Sequence, residues 1–202
     1  MNKKILVSSN CQTGGLAATL KAIFPDYEIK PFPLPSVDDI AKCQQLRDEI
    51  SQSQIWVTSG HFEFANNTSI KLCRVPQVVF YAFHPDLCYV KNKNDGNIIT
   101  PHYNSKIAVW AFNNKLDLES AVKLFTSKIY KSLGYFDGWY SSELHLKNLF
   151  LNSNYTDSDF RSFFLSLKRS QIFMYSVNHP RVNLIVALGR VVARYISEDL
   201  PE

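Results

Sequence analysis

Along the 202-residue chain the spacing of apolar positions switches between that of a strand and that of a helix, and the switches mark the elements. Ile5-Leu6-Val7 is an apolar run between Lys4 and Ser8-Ser9, which predicts a short buried strand over 4–9. In residues 13–24 Leu16, Leu20 and Ile23 recur near helical spacing, and Pro25 closes the helix. Residues 27–32 alternate as a second strand and lead into the proline-stiffened connection PFPLPS. Ser36 with Asp38 and Asp39 makes a helix start, and that helix is expected to reach about Gln52. QIWVTSG (54–60) reads as a third strand ending in a glycine turn, and QVVFYAF (77–83), preceded by Pro76, as a fourth. Strands alternating with helices predict an α/β fold with a small, mostly parallel sheet flanked by helices. Such sheets bind ligands beyond the carboxyl ends of their strands, where this reading puts Cys11 and His84.

Beyond residue 100 the helical period takes over. YNSKIAVWAFNN (103–114), DLESAVKLFTSKIYKSLG (117–134), SELHLKNLFL (142–151) and TDSDFRSFFLSLKRS (156–170) each read as one helix. Asp117 opens the second and Gly134 ends it, while Thr156 with Asp159 forms a capping box in which Asp stands for the usual Glu. Pro180 starts a last helix, 180–197, with Val182, Ile185, Val186, Gly189, Val192, Ala193 and Ile196 as its apolar stripe. The expected organisation is a single domain, residues 1–202. Its α/β half over 1–100 carries Cys11 and His84, and its helix-rich half over 101–202 carries His179.

Composition narrows the function classes. With 46% hydrophobic and 20% charged residues the chain is an ordinary globular one, and 14 Phe and 10 Tyr are enough to line a pocket as well as a core. A net charge of +4 is too mild to indicate a nucleic-acid partner. Its distribution is uneven: residues 160–197 contain no Asp or Glu but hold Arg161, Lys168, Arg169, Arg181, Arg190 and Arg194. That run is either a solvated basic face or a site for phosphates. Cys11, Cys43, Cys73 and Cys88 form no CxxC pair, no signal-peptide pattern follows Met1, and no apolar run is long enough to span a membrane. A reducing cytoplasmic setting with free thiols and no transmembrane segment is expected. HxH and HExxH spacings are missing, so no metal is expected, and neither a Walker loop nor GxGxxG is present.

Three short stretches carry candidate chemistry. VSSNCQTGGLAA places Cys11 on a turn between a strand and a helix, where free N–H groups and the helix dipole favour a thiolate and can also hold an oxyanion or phosphate. Gly14 and Gly15 would permit close backbone approach and Asn10 offers an amide; a structural cysteine beside a turn reads equally well. In FHPDLCYV, His84 is held extended by Pro85 and suits a general base, with Asp86 either orienting a base or capping a turn. In MYSVNHPRVN, Asn178 and His179 precede the last helix, so His179 is a second candidate base or a helix-start residue bonded to backbone. His61, after Gly60, is a reserve candidate, whereas His102 and His145 read as structural or exposed.

Taken in order, NCQ, HPDL.YV, the Tyr103-Asn104-Ser105 helix start, LF....Y..LGY and FMY..NHP resemble the WcbI-type polysaccharide-biosynthesis acetyltransferases over residues 4–195. The resemblance implies an enzyme that binds coenzyme A, with acetyl-CoA as substrate and a sugar or polysaccharide as acceptor, and an active site comparable to that of SGNH hydrolases. Cys11, His84 and His179 match the family's motif positions, and Asp86 belongs to the same catalytic group. Asn10, Gln12, Gly14, Gly15, Ser105, Asn178 and Arg181 are then expected to contact the cofactor, with the basic residues between 161 and 194 neutralising its phosphates. Two positions depart from the pattern: Ser9 stands where the family has glycine, and Asn104 where it has histidine. The second departure keeps two alternatives in play, an SGNH-like esterase and a non-catalytic CoA- or glycan-binding relative.

Overall fold

A computed structural model of the chain describes residues 3–60, 70–168 and 172–197. They form two compact units: Met1–Val78 with Lys147–Phe173 and Pro180–Glu202, and Val79–Leu146 with Met174–His179. Cys11 therefore belongs to the first unit, and His84 and His179 together to the second.

The first unit is built on a four-stranded parallel sheet in the order β2-β1-β3-β4, with β1 Lys4–Ser8, β2 Glu28–Pro31, β3 Ile55–Thr58 and β4 Lys71–Arg74. β1 and β3 are buried along their whole length, as their apolar runs require of central strands covered on both faces. Leu6 and Trp56 face one side and pack with Leu46 and Ile50 of helix α2 (Ile40–Ser51). Burying each of these side chains is worth about 2–3 kcal/mol. Lys4, buried on β1, is neutralised by Glu49 of α2 at 2.7 Å. Pro31 sits on the edge strand β2, where a missing N–H is tolerated.

Helix α1 (Thr13–Ile23) packs against the last helix of the chain, α8 (Val182–Ser197). The approach is close: a Cβ on Gly189 would lie 2.5 Å from Thr19 Cγ2, and one on Gly15 would lie 3.2 Å from Ile185. Helix α7 (Asp157–Lys168) also packs on α8 and opens with the expected capping box. The Asp159 N–H donates to Thr156 Oγ1 at 3.1 Å, and the Thr156 N–H donates back to Asp159 Oδ2 at 2.9 Å.

In the second unit a two-stranded antiparallel ribbon, β5 (Leu87–Cys88) with β6 (Asn104–Ser105), leads into α3 (Lys106–Asn113), α4 (Leu118–Val122) and α5 (Ser127–Ser132). The first part of α6 (Trp139–Asn152) completes it. Phe80, Phe83 and Trp139 form an aromatic cluster with ring centroids 5.2–5.6 Å apart. The Phe80 N–H donates to the Val177 carbonyl at 2.8 Å, which ties residues 174–179 to this unit. The α/β class, the parallel sheet and the helix-rich C-terminal half agree with the sequence expectation. Among the described residues no helix is long and apolar enough to cross a membrane.

Four boundaries differ from the sequence reading. The fourth strand is Lys71–Arg74 and not 77–83: the Val75 N–H still bonds Thr58 O, but Pro76 has no N–H to continue the ladder. His84 is accordingly not at the end of a sheet strand. Helix 117–134 is split, because Thr126 is extended and its hydroxyl recaps the chain at the Ile129 N–H. Gly134, at φ +69°, does end the second piece. The last helix begins at Val182 rather than Pro180, since the Arg181 N–H is taken by Phe173 O and the ladder starts at the Arg181 carbonyl. Its buried stripe keeps the expected Gly189, Val192, Ala193 and Ile196 and adds Leu184, Leu188 and Val191, while Val182 is exposed and Ile185 and Val186 are only partly buried. Finally, α2 is capped by Asp39, which accepts from the Lys42 N–H, and not by Ser36.

Candidate functional site

In a sheet ordered β2-β1-β3-β4 the chain leaves β1 toward one side and returns as β3 on the other, and the crevice at such a switch point is where open α/β sheets hold ligands. The turn carrying Cys11 leaves β1 at that point. It is braced from both strands: the Ser59 N–H after β3 donates to Ser8 O at 3.1 Å, and the Ser9 and Ser59 hydroxyls are 2.9 Å apart. Thr13 ties the far side of the turn, its hydroxyl donating to Ser9 O at 2.6 Å while accepting from the Ser9 N–H at 2.9 Å. Asn10 Oδ1 accepts from the Gln12 N–H at 3.0 Å, so this amide shapes the turn with its oxygen and keeps its NH2 group for other use.

On this rigid turn the Cys11 thiol is exposed, unlike the other three cysteines, and lies 3.9 Å from Asn10 Oδ1. Gln12 points the other way. It is 5% exposed, and its Nε2 has no hydrogen-bond partner among the described residues. A buried amide donor left open is costly unless something fills it, usually by 1–3 kcal/mol. The two glycines divide their tasks: a Cβ on Gly14 would meet nothing within 4 Å, whereas Gly15 is needed for α8 to approach. Gly14 leaves open space at the start of α1, where the Thr13 N–H is taken by Asn10 O at 3.1 Å and the Leu16 N–H by Gln12 O at 3.0 Å. An exposed thiol beside an open helix start is an arrangement that can hold an oxyanion, while the Gln12 amide is buried on the other side of the turn.

The second unit holds the histidines. His84 is half-buried on a tight turn, its N–H bonded to Tyr81 O at 2.9 Å, and its Nε2 lies 3.5 Å from Met174 O. A carbonyl only accepts, so that contact puts the ring proton on Nε2 and leaves Nδ1 as the basic nitrogen. His179 is exposed on the 175–179 turn, with Nδ1 2.5 Å from Ser176 Oγ, a contact in which either the ring N–H or the serine hydroxyl can donate. Tyr103 meets the His179 ring edge-on at 6.5 Å and stacks on Tyr89 at 4.5 Å. Burial, then Tyr89, pushes the Tyr103 phenol above its usual range, so it stays neutral. Ser176 escaped the sequence reading; its spacing of three from His179 is the signal that could have found it.

The remaining expected residues are largely engaged in holding the fold. Asp86 Oδ1 accepts from the Ile107 N–H at 3.1 Å and the Tyr135 hydroxyl at 2.8 Å, and no bond from Asp86 to His84 is among the contacts described. Burial, with Asp86 beside it, raises the Tyr135 phenol and keeps it a donor. Ser105 caps α3 through the Ala108 N–H at 3.0 Å. Asn178 has its Oδ1 buried and without a partner among the described residues. Arg181 donates to Ile172 O at 3.0 Å.

The basic run does not gather into one site. Arg161 pairs with Asp157, while Arg190 and Arg194 border an open groove of about 700 Å³ with Ile23, Ala193 and Ser197. Ile23 ends the eleven-residue α1, so this groove lies a helix length, roughly 16 Å, from the Cys11 turn. His61 and Arg169 fall outside the described residues.

The family model of the polysaccharide biosynthesis enzyme WcbI matches residues 4–198. Among solved structures the chain is similar, at a TM-score of 0.67 and 19% identity, to one described as WcbI, a polysaccharide biosynthesis enzyme, in its native form without a disulfide bond between coenzyme A and a cysteine. The similarity covers 100% of this chain and 71% of that one. No curated protein matches the chain.

Proposed function

The chain belongs to the WcbI family of polysaccharide biosynthesis enzymes, and from that membership we propose that it transfers an acyl group, acetyl in the simplest case, from coenzyme A to a sugar hydroxyl. The observation that carries this reading is the Cys11 turn, an exposed thiol at the switch point of the sheet beside the start of α1. The related solved protein is described as a native form without a disulfide bond between coenzyme A and one of its cysteines. In this proposal Cys11, the exposed cysteine of this chain, is the one that meets the coenzyme A thiol.

Coenzyme A supplies the activated acyl group as a thioester. Around it, the Asn10 NH2 and the open start of α1 at Gly14 hold the acyl end and stabilise the negative charge that develops on its oxygen. His179 through Nε2, or His84 through Nδ1, takes the proton of the sugar hydroxyl as the new C–O bond forms, and returns it to the sulfur as the C–S bond breaks. In the direct route the sugar oxygen attacks the thioester and Cys11 lines the pocket. In the covalent route Cys11 takes the acyl group first, and the sugar then displaces it.

Ser176 Oγ against His179 Nδ1 favours a second reading, an SGNH-like esterase in which water accepts the acyl group. Product analysis separates the two, since acetylated sugar supports transfer and free acetate alone supports hydrolysis.

Thermal unfolding tests the shared premise. At a hundredfold excess over Kd, ligand linkage adds about 2.7 kcal/mol, which for a chain of this size raises Tm by about 5–10 °C. No shift with either coenzyme A or acetyl-CoA overturns the proposal.

A further inference from the structure

We infer that a cavity of about 390 Å³ in the second unit, beside the turn that carries His84, is the binding site for the sugar unit that accepts the acyl group. The inference rests on the acyl-transfer reading for the role of the sugar but not for the chemistry of the cavity, which is that of a carbohydrate site. Its volume is at the small end of ligand pockets, fitting one or two sugar rings rather than a nucleotide cofactor.

Tyr81, 50% exposed, supplies an aromatic face of the kind against which the C–H face of a pyranose packs, while the Tyr135 ring is stacked on Tyr130 and forms a fixed wall. Lys106 extends along the rim, one N–H engaged by Pro85 O at 2.6 Å and two left to donate to ring or hydroxyl oxygens. The Tyr135 hydroxyl is fixed on Asp86, so the wall is rigid before any ligand enters.

Ser141 and Ser142 line the same wall and add two hydroxyls to it, the pattern of donors and acceptors that a sugar's own hydroxyls match. Gly138 opens the same wall, since a Cβ there would meet nothing within 4 Å.

The test uses the full chain and saturation-transfer NMR with mannose, glucuronic acid and glucose 1-phosphate as probes, without coenzyme A. Signal from at least one probe is expected. It should fall at least fivefold in Gly138→Leu, which fills the cavity through open space, and in Tyr81→Ala, which removes an exposed ring; Tm of both variants is measured alongside. The NMR result overturns the assignment if no probe gives signal, or if signal persists undiminished in a folded Gly138→Leu. The coenzyme A Tm shift is read separately. Sugar signal without that shift overturns acyl transfer and leaves the cavity assigned, and the shift without sugar signal does the reverse.

Discussion

Cys11 and Gln12 are neighbours with opposite fates, one side chain in solvent and the other buried, and the turn that separates them is held by four other polar residues. The buried Gln12 Nε2 has no partner among the described residues, so its folded-state cost should be recoverable: Gln12→Met is expected to unfold at the wild-type temperature or a few degrees above it. A clear drop in Tm would show that the amide holds the fold instead. Cys11→Ala should lower transfer roughly hundredfold or more in the covalent route, and far less in the direct one. His179→Ala should cost about 10²–10⁴ if Nε2 is the base. The pattern alone balanced a reactive cysteine against a structural one, whereas the strand, turn and helix around Cys11 were legible from local residues. The separate tasks of Gly14 and Gly15 were not, because they depend on Ile185, distant in sequence. Nor was the anchoring of Asp86 by Ile107 and Tyr135, which only the folded chain brings together.

Elements were legible where one local signal decided them. β1, α1, β3 and the Thr156–Asp159 capping box follow from runs and caps within a few residues. Residues 77–83 were misread because an apolar, aromatic run looks alike whether it enters a sheet or an aromatic cluster, and Pro76 closes a ladder as readily as it precedes one. Two predictions belong here. Gly189→Ala puts a methyl into Thr19 and should cost about 1–3 kcal/mol in chemical denaturation. Thr19→Ala in the same chain should restore part of that, as a double-mutant cycle would show. The second concerns Asp159. Burial, the largest influence, pushes its carboxyl upward, but Thr156 and Arg194 outweigh it and hold it below the ordinary range. A lowered native pKa stabilises the fold above the unfolded value and loses that contribution as pH falls through the native one. Asp159→Asn should therefore cost about 1 kcal/mol near neutrality, and the gap to wild type should close on acidification.

For the whole molecule, the family resemblance was legible in the order of motifs over residues 4–195, which no single motif could match for specificity, and the family match over residues 4–198 has nearly the same extent. The division into units was not legible, because Met174–His179 joins the second unit across a long sequence gap, through contacts such as the Phe80 N–H to Val177 O, His84 to Met174 O and Tyr103 to His179, that no local pattern announces. The proposed chemistry names Cys11 of the first unit and His84 or His179 of the second, and substitution in either unit is expected to lower activity. One measurement addresses this directly: mass-spectrometric product analysis of the full chain incubated with acetyl-CoA and a mixture of sugars, nucleotide sugars and polysaccharide fragments. The expected result is one acetylated sugar for each coenzyme A thiol released, lost on Cys11→Ala in the covalent route and on His179→Ala when His179 is the base. Thiol release with free acetate alone, or no release at all, would contradict transfer to a sugar.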